Sequence, residues 1–235
     1  MKKLFLVIMA LSLLLVTGCG KESLSSQEQG SGYTVVDARG KKITFASAPK
    51  RIVCLNYSAT DILTDLIPTE QIIATDMWAR EEDLSNCYEK LKGIPVCENN
   101  PEQIMKFKPD IVILTDGRAN ELADTLDSVG IKTCVLRQPK TIQEIPDYIK
   151  IVGEVADNKA AADSLAEKVA AYFKASAGGQ KIESVLLIHP NGGIGQKGSM
   201  PASICEACNI ENLAAKYDFP QSSYLSKEQI IAMNP

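Results

Sequence analysis

Five short apolar runs recur along the chain, Ile52 to Leu55, Ile72 to Thr75, Ile111 to Leu114, Thr133 to Leu136 and Val185 to Ile188, and they constrain the fold more than any other feature. Each is close to continuous hydrophobicity rather than an apolar/polar alternation, which is the pattern of a strand buried on both faces. Helical stretches separate them. Ser58-Ala59-Thr60-Asp61 opens a run in which Ile62, Leu63 and Leu66 share one face, and Pro101-Glu102-Gln103-Ile104-Met105 places proline in a first turn. Strands that alternate with helices predict an α/β fold with parallel sheet covered on both faces. Ahead of them, residues 33–45 (YTVVDARGKKITF) alternate and turn at Arg39-Gly40, as a short hairpin does.

Between Ile142 and Ala177 the pattern changes to one long helical region without a strand, too long for an ordinary crossover. Pro146 fits a first turn, Gly153 is a candidate bend or break, Ala160 to Phe173 is rich in helix formers, and Gly178-Gly179 ends the region. The expected division is an amino-terminal α/β lobe (33–140), an interlobe helical segment (141–180) and a carboxyl-terminal α/β lobe (181–235). With essentially one strand the second lobe cannot cover its own apolar faces. It therefore reads as incomplete.

The amino terminus resembles a bacterial lipoprotein signal. Lys2 and Lys3 precede an apolar run from Leu4 to Val16 that ends in Thr17-Gly18-Cys19. That run falls short of the roughly 20 apolar residues a bilayer span needs. The resemblance implies removal of residues 1–18 and lipidation of Cys19, so that the protein is held at the cell membrane facing outward. Residues 19–32 are polar and rich in Gly and Ser, the composition of a flexible tether with a reach of roughly 20 Å. The remaining 217 residues carry 23 Lys and Arg against 29 Asp and Glu. Without a basic tract, nucleic acid is not an expected partner.

Several segments together resemble a family. Ala48-Pro49-Lys50-Arg51-Ile52-Val53, Ser58-Ala59-Thr60-Asp61-Ile62-Leu63, Asn100-Pro101-Glu102-Gln103-Ile104 and Lys108-Pro109-Asp110-Ile111-Val112-Ile113 are similar, in order and spacing, to the substrate-binding proteins of iron-siderophore, haem and cobalamin ABC importers. Lys197-Gly198-Ser199 and Leu225-Ser226-Lys227-Glu228-Gln229-Ile230 match later parts of the same pattern, which continues beyond Asn234-Pro235. The resemblance implies two α/β lobes joined by a long rigid helix, a metal chelate clasped between them, no cofactor of its own, and a monomer that delivers its ligand to importer permease subunits. It also assigns permease docking to one glutamate on each lobe, Glu102 and Glu228.

The ligand surface follows from the fold class alone, because open α/β sheets bind beyond the carboxyl ends of their strands. The residues there are Asn56, Tyr57 and Ser58; Met77, Trp78 and Arg80; Gly117 and Arg118; Arg137, Gln138 and Lys140; and, in the second lobe, His189, Pro190 and Asn191. Three arginines after three strands suit an anionic ligand, since guanidinium offers paired donors and a fixed charge. Trp78 and Tyr57 add planar apolar surface. Tyr57, Trp78, Arg80, Arg118, Arg137 and His189 are accordingly the expected ligand contacts. A ferric siderophore is the first expectation, cobalamin the second and haem the third.

Other readings carry less. Gly193-Ile194-Gly195-Gln196-Lys197-Gly198 fits G-x-G-x-x-G, but a lone match that starts late after its strand is weak evidence for a dinucleotide. Cys205-Glu206-Ala207-Cys208 lacks the second pair that a tetrahedral zinc site needs. Cys54 and Cys134 lie in apolar strands and read as buried thiols, whereas Cys87 and Cys97 could pair in an oxidising compartment. One histidine and no Ser-His-Asp or Cys-His arrangement speak against an enzyme. The same lone His189 speaks against a binding protein for free zinc or manganese.

Overall fold

The computed structural model describes residues 32–117, 119–175, 183–188, 193–216 and 224–235. The signal, the tether up to Ser31 including Cys19, Arg118, Gly178-Gly179 and His189-Pro190-Asn191 lie outside the described residues. Among the described residues no helix is long and apolar enough to cross a membrane.

Four strands, β3 (Ile52–Leu55), β4 (Ile72–Thr75), β5 (Ile111–Thr115) and β6 (Thr133–Leu136), form one wholly parallel sheet in the order β4-β3-β5-β6. In β3, β5 and β6 the side chains sort by parity, as a period of two requires, whereas β4 is irregular, its register shifting opposite Ile52 and Val53. Ile52, Cys54, Ile111, Ile113 and Cys134 enter one core cluster, and Val53, Leu55, Val112, Leu114 and Val135 enter another. The first cluster is closed by Leu63 of α1 (Tyr57–Leu66) and by Ile149 and Val152 of α4 (Ile145–Val155). The second is closed by Ile104 of α2 (Pro101–Lys106) and by Ala123 and Leu126 of α3 (Ala119–Ser128). Burial on both faces explains why the strands read as unbroken apolar runs.

The hairpin of β1 (Tyr33–Val36) and β2 (Lys42–Phe45) forms as expected, with Gly40 at φ +79° in its turn. The turn also guards an exposed sheet edge. Ala38 N–H donates to the Val135 carbonyl at 2.8 Å, and Asp37 Oδ2 accepts from Val135 N–H at 3.3 Å, so backbone groups of β6 that would otherwise be open are paired. Arg39 secures this contact by donating to Asp37 (2.8 Å), Asp124 (3.0 Å), Asp127 (3.2 Å) and Thr133 Oγ1 (2.9 Å). Burial alone would raise the Asp37 carboxyl. The hydrogen bonds from Arg39, Lys41 and Val135 outweigh it and hold the group below its usual range.

The helical region after the sheet is a pair of helices, α4 and the 17-residue α5 (Lys159–Ala175). The break falls at 156–158 rather than at Gly153. Asp157 takes a left-handed φ of +56°, and the Asn158 side chain accepts from Ala161 N–H at 3.4 Å while donating to the Leu66 carbonyl at 2.7 Å. Gly153 stays helical and serves packing instead, since a Cβ there would lie 2.1 Å from that of Ala162.

Beyond α5 the elements are short: β7 (Ser184–Val185), α6 (Met200–Cys208), β8 (Glu211–Asn212), α7 (Leu213–Lys216) and α8 (Lys227–Met233). β7 pairs in parallel with β8, and the strand expected to reach Ile188 stops at Val185, Ile188 instead bridging antiparallel to Ile194. The glycine-containing stretch becomes a turn with Gly198 at φ +75° that leads into the Ser199 cap of α6. Polar contacts tie this part together. Ser203 Oγ accepts from Ile142 N–H at 3.0 Å, and Asn212 Nδ2 donates to the Gly195 carbonyl at 2.7 Å.

All six described cysteines are free, so the possible Cys87–Cys97 pair is not formed; the two belong to different core clusters. Cys54 and Cys134 are buried as expected, and desolvation pushes both thiols up to about 12.

Candidate ligand cleft

The carboxyl ends of the four parallel strands open onto a cleft of ≈ 690 Å³. Its floor is Leu55 and Leu114, the last inward residues of β3 and β5. Tyr57 and Trp78 stand at its sides, 48% and 52% exposed, with Met77 beside them. Trp78 is presented by the short turn Trp78–Arg80, which Asp76 fixes by accepting from Ala79 N–H at 2.9 Å.

The polar lining is amide and carboxylate: Asn56, Asn99 and Gln138, with Asp76, Glu98 and Asp116. Burial raises the Asp76 carboxyl above its usual range despite backbone N–H groups of Ala79, Trp78 and Tyr57 that favour its charged form. Asn56 organises one wall. Its Oδ1 caps α1 by accepting from Ala59 N–H at 3.1 Å, and its Nδ2 donates to Tyr148 of α4 at 2.9 Å and to Gln138 Oε1 at 3.4 Å. Gln138 in turn donates to Ser58 Oγ at 3.0 Å and receives its own backbone orientation from Asp116, 3.4 Å away.

The structure brings only part of the expected site together. Tyr57 and Trp78 face the cleft, but Arg80 does not line it. The same turn that exposes Trp78 carries Arg80 inward, where its guanidinium donates to the carbonyls of Leu91 and Ile94 and holds the 81–95 segment. Arg137 does not line the cleft either; it is 72% exposed, with Nε 4.0 Å from Asp116 Oδ2. Arg118 and His189 lie outside the described residues. Asp76 and Asp116 follow their strands directly, so the strand-end rule that pointed to Tyr57 also covers them. Glu98 and Asn99 come from the loop that pairs with β4 through Thr75 and Cys97, and no strand pattern announced that loop. Among the described residues no group of three or more His, Cys, Asp or Glu is placed to hold a metal ion.

Glu102 and Glu228 occupy equivalent positions on two helices. Each is the second residue of a first turn whose cap side chain, Asn100 or Ser226, accepts from the N–H of a following glutamine, Gln103 or Gln229. Both carboxylates are exposed. Glu228 is held below its usual range by hydrogen bonds from its own N–H and from the Ser226 hydroxyl.

Comparison with known proteins places this architecture. The chain is 24% identical over 176 residues to the ABC transporter substrate-binding lipoprotein YvrC of Bacillus subtilis, covering 70% of this chain and 54% of that protein. It is 26% identical over 210 residues to a cobalamin-binding protein of Halobacterium salinarum, covering 86% and 56%. It thus spans about half the length of the curated relatives it matches. A periplasmic solute-binding protein from Veillonella parvula superposes with a TM-score of 0.67 at 23% identity, covering 87% and 66%, and the haem-binding protein RhuT from Roseiflexus with 0.67 at 20% identity, covering 79% and 74%. These two likenesses concern the fold. The model of the periplasmic binding protein family matches residues 52–235, and the chain belongs to that family of binding proteins rather than enzymes.

Proposed function

We propose that this protein captures a bulky metal chelate outside the cell membrane and delivers it to an ABC importer, and that the chelate is a corrinoid rather than an anionic ferric siderophore. The observation that carries the choice is the charge of the cleft. Asp76, Glu98 and Asp116 line it, while Arg80 is committed to backbone carbonyls and Arg137 is exposed outside the lining. A ferric tricatecholate is strongly anionic and would meet three carboxylates, and like charge at a binding surface costs affinity. A corrinoid is a planar macrocycle fringed with neutral amides. Carboxylates and the side-chain amides of Asn99 and Gln138 can pair with that fringe, and Tyr57 and Trp78 offer apolar faces to the ring. A relative named as a cobalamin-binding protein supports the same reading. A siderophore would have to draw its counter-charge from Arg137 and Arg118.

Cys19 serves as the lipid anchor in this reading. Glu102 and Glu228, exposed in matching first turns, are the contacts for basic residues of the permease.

Trp78 is the only tryptophan, so its fluorescence reports on the cleft. Titration with cyanocobalamin, dicyanocobinamide, haemin and a ferric tricatecholate, corrected for ligand absorbance, tests the choice. Saturable quenching by a corrinoid and weak or no response to the tricatecholate is expected. Tight saturation by the tricatecholate alone would reverse the assignment.

A further inference from the structure

Beside the cleft lies a second cavity of ≈ 610 Å³, and the two share Tyr57 and Gln138 as a common wall. The second cavity is walled mainly by apolar side chains, among them Ile62 of α1, Ile149 of α4 and Val169 of α5. Polar residues line it as well: Ser58, Tyr148 and Asp61, together with Asp65, whose carboxylate is paired with Lys90, and the shared Tyr57 and Gln138.

Ser58, Tyr148 and Asp61 have hydrogen-bonding capacity still unspent. Tyr148 is 5% exposed, and its oxygen accepts from Asn56 Nδ2 at 2.9 Å. The direction of that bond is fixed, because Asn56 Oδ1 is already the acceptor that caps α1. The Tyr148 proton therefore remains to be donated, and it has no acceptor among the described residues. Ser58 Oγ likewise accepts from Gln138 and keeps its own proton. The Asp61 carboxylate accepts no hydrogen bond from a described residue, and the nearby cation Lys90 is paired with Asp65 instead. A buried donor left unspent is costly. A largely apolar cavity of this size with a few convergent polar groups has the make-up of a small-molecule site.

We propose that this annex binds a nitrogen heteroaromatic ring: Tyr148 and Ser58 donate to a ring nitrogen, Asp61 accepts from an N–H or hydroxyl on the ring or its substituent, and the apolar walls cover its faces. Such a ring can arrive as a free molecule or as an appendage of the chelate in the adjoining cleft. In the second case the inference rests on the corrinoid reading.

The probe is free benzimidazole, titrated calorimetrically into the full chain. Saturable binding is expected, weakened about fivefold by Tyr148→Phe, the cost of one neutral hydrogen bond, and about tenfold or more by Asp61→Ala, which removes a charged acceptor. Val169→Trp, which fills the cavity, should abolish it. Absence of saturable binding, or binding indifferent to both Tyr148→Phe and Val169→Trp in variants with native circular dichroism, overturns the proposal. Cobalamin and cobinamide, which share a macrocycle but differ in the appended base, separate the two sources. Tighter cobalamin binding that Val169→Trp reduces to the cobinamide level assigns the annex to the appendage, and equal affinities assign it to a free ring. Benzimidazole binding without any corrinoid binding would keep the annex and remove the corrinoid reading; corrinoid binding without benzimidazole binding would do the reverse.

Discussion

The parts of the molecule before and after α5 are built by different means. Before it, the parallel sheet packs two apolar clusters on its two faces, and Ile52, Ile111, Ile113 and Leu63 are fully buried. After it, strands are two residues long, α8 buries none of its residues, and Tyr224 and Ile231 are 66% and 76% exposed. What orders this second region is a set of polar links such as Ser203 to Ile142 and Asn212 to Gly195, with a few small buried side chains, Ala202, Cys205 and Ala214. The larger buried core thus resides in the first region, and every described residue that lines the main cleft belongs to it.

The largest difference between the two regions is expected in their cores. Ile113→Ala should cost about 4 kcal/mol through lost burial and a residual cavity, while Ile231→Ala should change stability by no more than about 0.5 kcal/mol. Urea unfolding of the two variants checks this, and similar losses would erase the contrast between the regions.

Next in size is the clamp at the hairpin. Asp37→Ala leaves Arg39 without its most buried partner and should cost about 3 kcal/mol. The same carboxylate gives the wild type a pH signature. Because its folded pKa lies below the ordinary value of 3.8, the stability it contributes is present above that pH and is lost as the pH falls through and below it. In Asp37→Asn that part of the acid-side decline should be missing from thermal melts taken across the window.

The polar attachment of the second region comes third. Ser203→Ala orphans the buried N–H of Ile142 and should cost about 2 kcal/mol. Hydrogen exchange sharpens the point: faster exchange confined to α6 and its neighbours is expected, and acceleration throughout the parallel sheet would mean that the two regions unfold as one.

The smallest effect concerns Asp76, whose shift has the opposite sign to that of Asp37. Its folded pKa is raised by burial, so wild-type stability falls as the pH rises from the ordinary carboxyl value through the raised one. Asp76→Asn, which can still accept from Ala79 N–H, should flatten that fall and raise the melting temperature at neutral pH. A lower melting temperature there would contradict the assignment.

The four parallel strands and the hairpin were legible in the sequence because burial on both faces leaves continuous apolar runs and burial on one face leaves alternation, while the run Val185 to Ile188 yields a strand only at Ser184–Val185. The break at Asp157 was less so. Gly153 drew attention as a helix breaker, whereas the chain uses a left-handed aspartate and an asparagine cap, and spends the glycine on close helix packing. Strand ends located the cleft but could not orient its side chains. Trp78 and Arg80 sit in one short turn and face opposite ways, a difference set by the carbonyls of Leu91 and Ile94, which lie more than ten residues away. The contribution of Tyr148 was equally hidden, since in sequence it is only one more residue on the inner face of a helix.

Diffraction from crystals grown with cobinamide, using anomalous scattering at the cobalt edge, tests the proposal that the carboxyl edge of the parallel sheet receives a corrinoid between Tyr57 and Trp78. A cobalt peak within the cleft lined by Asp76, Glu98 and Asp116 is expected. Saturated crystals with cobalt bound elsewhere and an open cleft would contradict it.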